Sequence, residues 1–262
     1  MTVLITGAST GIGYEITRIF ARNGYDVVIT ARDEKRLIEL AKNINTKVTV
    51  IKKDLSRPDS ANELFNEIKE NNIEVDILVN NAGMGDTGLF HKSSVDKINE
   101  MLELNIKSLT ILTRLVSAEM VKKRSGMILN VASTGSYMPG PFIAVYYATK
   151  AYVLSFTEAI GEELKKFNVK VSALCPGATA TEFSKRAGKL ELKGAMSAKS
   201  VAEIAYKEFM NGKKVIIPGC FNKVGILFSK ILPRNMMGKI IGKSQKKLHE
   251  EFMIKNNISG KE

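Results

Sequence analysis

The stretch that decides the fold is VLITGASTGIG, Val3–Gly13. It begins with a β-branched apolar run typical of a buried strand, and the residues after Gly13 follow a helical pattern through Phe20. Gly7 allows a tight turn and Gly11 allows close approach to a pyrophosphate, which the helix N-terminus attracts. A strand, a glycine turn and a helix in this order predict dinucleotide binding. The spacing is GxxxGxG instead of GxGxxG, so the turn alone is a weak signal.

Apolar runs alternate with helical stretches along the rest of the chain. This pattern predicts the α/β fold class, with a single doubly wound parallel sheet and helices on both faces. The further predicted strands are 26–30, 47–51, 76–79, 127–131, 169–174 and 214–217. No linker, repeat or low-complexity segment divides the 262 residues. We therefore expect one domain, 1–262, with a basic apolar C-terminal segment from about residue 220.

The C-terminal segment carries much of the net charge of +12. Between Phe209 and His249 there are nine basic residues and no acidic one, among many large apolar side chains. Three interpretations are open: the segment lines the substrate pocket and covers the core, rests on an anionic membrane surface, or mediates subunit contact. Pro233, with Gly225, Gly238 and Gly242, argues against one long helix. The apolar runs are too short and too charged to span a bilayer.

Other partner classes have little support. No nucleic-acid-binding motif accompanies the positive charge, so we expect no nucleic-acid partner. Cys175 and Cys220 are the only cysteines, and neither has the spacing of a metal ligand, so no metal site is expected. Two free thiols and no signal-peptide pattern indicate a cytoplasmic protein, with peripheral membrane contact left open.

Tyr146, Tyr147 and Lys150 provide a second chemical signal. A lysine at i+4 lies on the same helix face as a tyrosine, and its charge is expected to lower the phenol pKa. A lower pKa would suit general acid/base catalysis at neutral pH. Tyr147 is an i+3 neighbour of the same lysine, so helix geometry does not choose between the tyrosines. An isolated YxxxK is most often only the start of an amphipathic helix.

These residues together resemble the short-chain dehydrogenase/reductase family, in its compact single-domain branch. The resemblance runs in order over about three quarters of the chain. The matching positions are Thr6 to Gly13, Asn80-Asn81-Ala82-Gly83, Asn105, Ser133, Tyr146 with Lys150, and Pro176-Gly177 with Thr181.

The resemblance implies an oxidoreductase that transfers a hydride between a nicotinamide and a secondary alcohol/carbonyl pair. Its implied catalytic residues are Asn105, Ser133, Tyr146 and Lys150. Tyr146, thirteen residues after Ser133, would exchange the substrate proton, while Ser133 orients the carbonyl. Lys150 would lower the tyrosine pKa and hold the ribose, and Asn105 would position a water. Tyr147 is then a packing neighbour.

The implied cofactor is NADP(H), with NAD(H) as the less favoured alternative. The second predicted strand is followed by Ala31 and Arg32, so a carboxylate for the ribose hydroxyls is absent and a guanidinium suited to a phosphate is present. Arg32 as a solvated charge near Asp33, and Asp54 as a plain turn residue, remain open. The expected cofactor-binding residues are Gly7, Ser9, Thr10, Gly11, Ile12, Gly13, Arg32, Asp54, Leu55, Asn81, Ala82, Gly83, Tyr146, Lys150, Pro176, Gly177, Thr179 and Thr181.

The substrate class is less sharply defined. The stretch 182–196 corresponds to the family's substrate-covering loop, and Phe183, Leu190, Leu192 and Met196 within it favour an apolar substrate. Basic, apolar C-terminal segments like this one resemble those of 3-oxoacyl and long-chain carbonyl reductases. Steroids or bile acids, acyl thioesters, sugars and small ketones all remain candidates.

Two further expectations follow from the resemblance. The family's long helices, here beginning near Asn105 and Tyr146, commonly form subunit interfaces, so we expect a homo-oligomer. Two alternatives to an enzyme stay open: a non-catalytic NADP(H)-binding or redox-sensing protein, and a peripheral membrane protein that acts through its basic C-terminal segment.

Overall fold

The computed structural model describes residues 1–183 and 194–255. The strands are β1 (Thr2–Thr6), β2 (Asp26–Ala31), β3 (Val48–Lys52), β4 (Ile77–Asn80), β5 (Gly126–Val131), β6 (Val169–Leu174), β7 (Thr179–Ala180), β8 (Met196–Ser197) and β9 (Val215–Ile216). The helices are α1 (Gly11–Arg22), α2 (Glu34–Lys42), α3 (Ser60–Glu70), α4 (Val95–Leu102), α5 (Leu109–Lys123), α6 (Ala144–Lys165), α7 (Ala198–Met210), α8 (Cys220–Ile231) and α9 (Arg234–Lys255). A π-helical turn, Glu103–Ser108, joins α4 to α5, and short 3-10 turns occupy Phe90–Lys92 and Thr134–Tyr137.

Seven of these strands form one parallel sheet in the order β3-β2-β1-β4-β5-β6-β9, while β7 and β8 pair separately. The expected fold class is therefore confirmed. The strand order reverses between β1 and β4. In sheets of this kind a crevice opens at that point, beyond the carboxyl ends of the strands.

Both faces of the sheet are buried, because successive side chains of β1 point to opposite sides. Val3 and Ile5 belong to a core cluster with residues of α1, α2 and α7. Leu4 belongs to a second cluster, with residues of α3 and α5. Helices therefore cover the sheet on both sides, as the near-continuous apolar strands predict.

The C-terminal segment forms two helices. Leu232, with φ −75° and ψ 143°, ends α8 immediately before Pro233, because a residue that precedes proline is disfavoured in the α conformation. The segment is therefore not one long helix, as expected, although α9 runs through both Gly238 and Gly242, which were expected to weaken a long helix. These glycines lie against the loop after β5: a Cβ added to Gly242 would lie 3.3 Å from Pro141 Cγ. Packing against this loop compensates for their low helix propensity.

In the described part of the chain, none of the helices combines the length and the apolarity that a transmembrane span requires.

Candidate active site

The glycine turn between β1 and α1 is held by Asn81, which follows β4. The Asn81 side-chain amide donates to the carbonyl oxygens of Thr6 (3.0 Å) and Gly7 (3.1 Å). Gly7 has φ +66°, which favours glycine, and a Cβ on Gly13 would lie only 2.3 Å from Asn81 Nδ2. Glycine is therefore required at Gly13 for the first turn of α1 to approach the β4 loop this closely.

The first turn of α1 faces the cleft without a side-chain cap. Thr10 is the N-cap residue, but its hydroxyl makes no capping hydrogen bond, and no acidic residue stands in the first turn. The first N–H groups of a helix have no intrahelical partner, and the helix dipole makes this end positive. This end of α1 can therefore bind an anionic group, such as a pyrophosphate.

A cleft of about 760 Å³ lies at this edge of the sheet. Its walls contain nearly all of the expected site residues: Gly7, Ser9, Thr10, Gly11, Ile12, Arg32, Asp54, Leu55, Asn81, Ala82, Gly83, Ser133, Tyr146, Lys150, Pro176, Gly177, Thr179 and Thr181. Gly13 and Asn105 do not line it. Gly13 lies behind the glycine turn, and Asn105 is fully buried behind Gly83. The volume falls within the ordinary range for cofactor and ligand sites.

Arg32 lies at the end of the cleft nearest β2. Its side chain is exposed, and it makes no ion pair with any residue in the described part of the chain. Asp33 instead pairs with Arg36, with 3.3 Å between Arg36 Nε and Asp33 Oδ2, so it does not neutralise Arg32. Arg36 also pairs with Glu182 at 2.8 Å. A guanidinium without a carboxylate partner fits a phosphate at this position.

Asp54 forms part of the local turn, and its contact with a cofactor remains a prediction. It lines the cleft, and its Oδ1 accepts hydrogen bonds from the Ser56 backbone N–H (3.1 Å) and the Ser56 hydroxyl (2.7 Å). The glycine cradle, the open helix N-terminus and Arg32 together fit a phosphorylated dinucleotide.

Among residues 1–183 and 194–255, no group of three or more His, Cys, Asp or Glu side chains could hold a metal ion.

Tyr146 lies near the start of α6 and is buried, with 8% of its surface exposed. Burial raises the pKa of Tyr146 well above its ordinary value, because desolvation disfavours the phenolate, and a hydrogen bond with the Ser133 side chain opposes this effect. Ser133 Oγ also accepts a hydrogen bond from the Gly135 N–H at 3.0 Å. The phenol is therefore in its proton-donating form at neutral pH.

Lys150 lies one turn further along α6 and points to β5. Its Nζ donates to the Val131 carbonyl at 2.7 Å and is 5.9 Å from the centre of the Tyr146 ring. Burial is the largest influence on the Tyr146 pKa, and Lys150 is not among the groups that shift it in this structure, so the expectation that Lys150 lowers this pKa stays a prediction. Burial also lowers the pKa of Lys150 itself to about 8.

Asn105 lies in the π-helical turn between α4 and α5. Its Oδ1 accepts from the Met84 N–H (2.9 Å), and its Nδ2 donates to the Met84 carbonyl (2.8 Å) and to Thr149 Oγ1 (3.0 Å). The side chain therefore ties the loop after β4 to α6. Its role in positioning a water remains a prediction.

Tyr147 occupies a different environment from Tyr146. Its ring packs between two glycines: a Cβ added to Gly135 or Gly140 would lie 2.8 or 2.5 Å from ring atoms of Tyr147. Ser133 lowers the pKa of Tyr146 and so partly opposes burial, whereas burial raises the pKa of Tyr147 with no contribution from Ser133. Geometry thus separates two tyrosines that helix spacing alone could not.

The cleft is also lined by the C-terminal helix, whose contributing residues sequence reasoning did not name. Ser244, Gln245 and Leu248 of α9 line it, together with Met84 and Phe183. The Phe183 ring lies 5.5 Å from that of Tyr146. Sequence alone offered only the general interpretation that the C-terminal segment lines the pocket. Leu190 and Leu192 lie outside the described residues.

The buried amine of Lys150 predicts a specific pH dependence of stability. Its pKa of about 8 in the folded chain is below the ordinary value of 10.5. Between these values the unfolded chain binds a proton that the folded chain does not, so the free energy of unfolding rises with pH. In urea unfolding, the free energy of unfolding of wild type relative to that of Lys150→Met should rise by about 2 kcal/mol between pH 7.5 and pH 9.5.

The matched control for this measurement is Lys42→Met, at an exposed position on α2. Its stability difference from wild type should be the same at both pH values. A pH-independent difference for Lys150→Met would contradict the buried position of the amine.

Comparison with known proteins agrees with this geometry. The family model described as short chain dehydrogenase matches residues 1–191. The NADP-dependent 3-hydroxy acid dehydrogenase YdfG of Escherichia coli (strain K12) is 36% identical over 70% of this chain and 75% of its own length.

Solved structures are also similar. A short-chain dehydrogenase from Sphingobium yanoikuyae in complex with NADPH is 33% identical, with a TM-score of 0.81 over 88% of this chain and 93% of that one. The bulky-bulky ketone specific alcohol dehydrogenase from Comamonas testosteroni is 30% identical, with a TM-score of 0.75 over 88% and 92%. The chain belongs to the short-chain dehydrogenase/reductase family of oxidoreductases.

Proposed function

We propose that this protein reduces a ketone with an apolar substituent to a secondary alcohol, using NADPH. The observation that carries the proposal is that Ser133, Tyr146 and Lys150 line the same cleft as the glycine turn. A proton donor and a dinucleotide site in one cleft are the two requirements of carbonyl reduction. Reduction is the proposed physiological direction.

Apart from the hydride, each part of the reaction is assigned to a residue of this chain. NADPH, when bound, supplies the hydride. Ser133 orients the substrate carbonyl, and the Tyr146 phenol donates its proton to the carbonyl oxygen as negative charge develops there. Lys150 would hold the nicotinamide ribose and would help to return to Tyr146 a proton taken up from solvent. Pro176 and Gly177 shape the nicotinamide side of the cleft, and Thr181 contacts the carboxamide.

Selectivity for NADPH is proposed to come from Arg32. The guanidinium lies in the cleft wall, and Asp33 is engaged by Arg36. An ionised phosphate accepts charge-assisted hydrogen bonds from arginine. A ribose hydroxyl, which is uncharged, is a weaker acceptor for the same guanidinium. The relative from Escherichia coli is named as NADP-dependent, and the Sphingobium yanoikuyae structure contains NADPH. NAD(H) is the alternative that the Arg32 experiment tests.

The proposed substrate class follows from the walls of the cleft beyond Tyr146. Met84, Phe183 and Leu248 provide apolar surface, whereas Ser244 and Gln245 provide hydrogen-bonding groups. This combination suits a bulky apolar ketone that carries a polar substituent. The Comamonas testosteroni neighbour is named for bulky-bulky ketones, which supports the same class.

The tyrosine assignment is tested by Tyr146→Phe. Loss of the phenol proton should lower kcat by about a hundredfold or more. The Kd for NADPH should change by less than about threefold, because the substitution removes one hydroxyl and preserves the packing. Stopped-flow kinetics and fluorescence titration measure the two quantities.

The matched control is Tyr147→Phe, whose ring packs between Gly135 and Gly140. It should retain most of the activity. The reverse pattern would reject Tyr146 as the proton donor. NADPH binding by the wild type with no oxidation against any ketone would favour the non-catalytic alternative.

The cofactor assignment is tested by Arg32→Ala. Removing the guanidinium should raise KM for NADPH by about 10- to 100-fold, as expected for losing a hydrogen bond to a charged group. KM for NADH should change far less. Arg22→Ala, at an exposed position on α1, is the control and should leave both values unchanged. Equal effects of Arg32→Ala on both cofactors would refute the phosphate contact.

We also propose that the enzyme is a homo-oligomer that associates through α5 and α6. Tyr152 of α6 is exposed and stacks on Phe156 with ring centres 5.8 Å apart. Its hydroxyl lies 3.0 Å from Thr110 Oγ1 of α5. An exposed tyrosine that stacks on a half-buried phenylalanine is typical of interfaces, in which aromatic residues are enriched.

Light scattering of the full chain should give the mass of at least two copies, and Tyr152→Glu should lower it. A wild-type mass of one copy would contradict the oligomer.

A further inference from the structure

The outer side of α8 is unusually apolar for an exposed helix. Five of its twelve residues are large, apolar and exposed: Phe221, Val224, Leu227, Phe228 and Ile231. Phe221 is 94% exposed and Ile231 is 71% exposed. Spacings of three and four residues place these side chains along one side of the helix. Met236 and Ile240 continue the exposed apolar surface on α9.

The opposite side of α8 explains why the helix keeps this orientation. Ile226 and Ser229 are buried beneath it. The Asn222 amide packs so closely on Gly177 that an added Cβ would lie 2.3 Å from Asn222 Oδ1. Asn222 Nδ2 also donates to the Pro218 carbonyl at 2.6 Å. The apolar side of α8 is therefore held outward by its inner contacts.

Basic side chains accompany this apolar surface. They are Lys223, Lys230, Arg234, Lys239 and Lys243, and all five are exposed. None of them forms an ion pair with a residue in the described ranges 1–183 and 194–255, although Lys230 lies over the Tyr137 ring. No acidic residue occurs between Phe209 and His249. The twelve exposed residues named in this and the first paragraph form the α8–α9 surface.

We propose that the α8–α9 surface binds an anionic phospholipid membrane, with α8 lying in the plane of the interface. Exposed apolar side chains enter the boundary between headgroups and acyl chains, while the basic side chains contact lipid phosphates. A helix of 12 residues is about 18 Å long, which is sufficient for an interfacial helix and too short for a span.

The positive charge of the α8–α9 surface favours a membrane, and not a second copy of this chain, as its binding partner. An isologous contact would bring the same five cations of each copy together, with no carboxylate from this segment to neutralise them. An anionic bilayer neutralises all five, and each is worth about 1 kcal/mol near such a surface. Apolar area and charge therefore both favour the bilayer.

The location of this surface connects membrane binding to the cleft. The inner side of α8 contacts Gly177, and the middle of α9 contributes Ser244, Gln245 and Leu248 to the cleft wall. The helices that bind lipid thus also flank the proposed substrate site. A membrane-bound enzyme would receive apolar ketones that partition into the bilayer. Membrane binding itself does not depend on the proposed reaction.

A tryptophan reporter tests the orientation directly. The chain contains no tryptophan, so Phe228→Trp introduces a single fluorophore on the exposed side of α8. Its emission should shift to shorter wavelength with vesicles of phosphatidylglycerol and phosphatidylcholine, and the shift should weaken at high salt. Ile38→Trp, on α2, is the matched control and should show no shift. An unshifted Phe228→Trp emission would overturn the proposal.

Co-sedimentation of the full chain with the same vesicles tests the energetics. Phe221→Glu combined with Phe228→Glu should lower the partition coefficient at least about tenfold, and Ile38→Glu should not change it. Lys223→Gln and Lys239→Gln should each lower it about fivefold. Because these residues lie outside the cleft wall, NADPH oxidation with a water-soluble ketone should be unchanged.

Two other outcomes would reject the membrane assignment. Equal binding of wild type to phosphatidylcholine alone and to the anionic vesicles would remove the role of charge. A loss of oligomeric mass in Phe221→Glu/Phe228→Glu without vesicles would identify the surface as a contact between copies.

Discussion

The close contact between the glycine turn and Asn81 fixes the position of the cleft. The Asn81 side-chain amide donates to the carbonyls of Thr6 and Gly7. Gly13 packs so closely against Asn81 and Gly7 that no side chain would fit at this position. This contact joins the carboxyl ends of β1 and β4, where the strand order reverses. The open N-terminus of α1 therefore faces the same space as the loop after β4, and most of the expected cofactor-binding and catalytic residues line one cleft.

Burial sets the chemical state of the two central side chains in that cleft. Tyr146 is kept protonated and the pKa of Lys150 is lowered, because both charged forms lose solvation. The Val131 carbonyl holds the Lys150 amine, while Ser133 faces the phenol. Helix α6 and the end of β5 thus hold the proposed proton donor and its support, whereas α9 lines the proposed substrate end. Helix α9 rests on the Pro139–Pro141 loop through Gly238 and Gly242.

Features that depend on local sequence could be predicted. The bounds of β6 match the prediction, and the serine–tyrosine spacing selected the tyrosine that the structure places against Ser133. Features that depend on contacts between distant segments could not. Helix propensity argued against α9, but packing against Pro141 outweighs it. The i+4 rule placed Lys150 on the face of Tyr146 but gave no information on desolvation, which raises the Tyr146 pKa.

The central claim is hydride transfer within this cleft from NADPH to a carbonyl carbon. The most direct measurement uses NADPH deuterated at C4, prepared separately with the label on each face, and a bulky apolar ketone. Mass spectrometry then locates the label. We predict deuterium on the carbinol carbon from one labelled form only, because a structured site binds the nicotinamide in a single orientation. An alcohol product without deuterium from either form, or NADPH that binds and is not oxidised, would contradict the account.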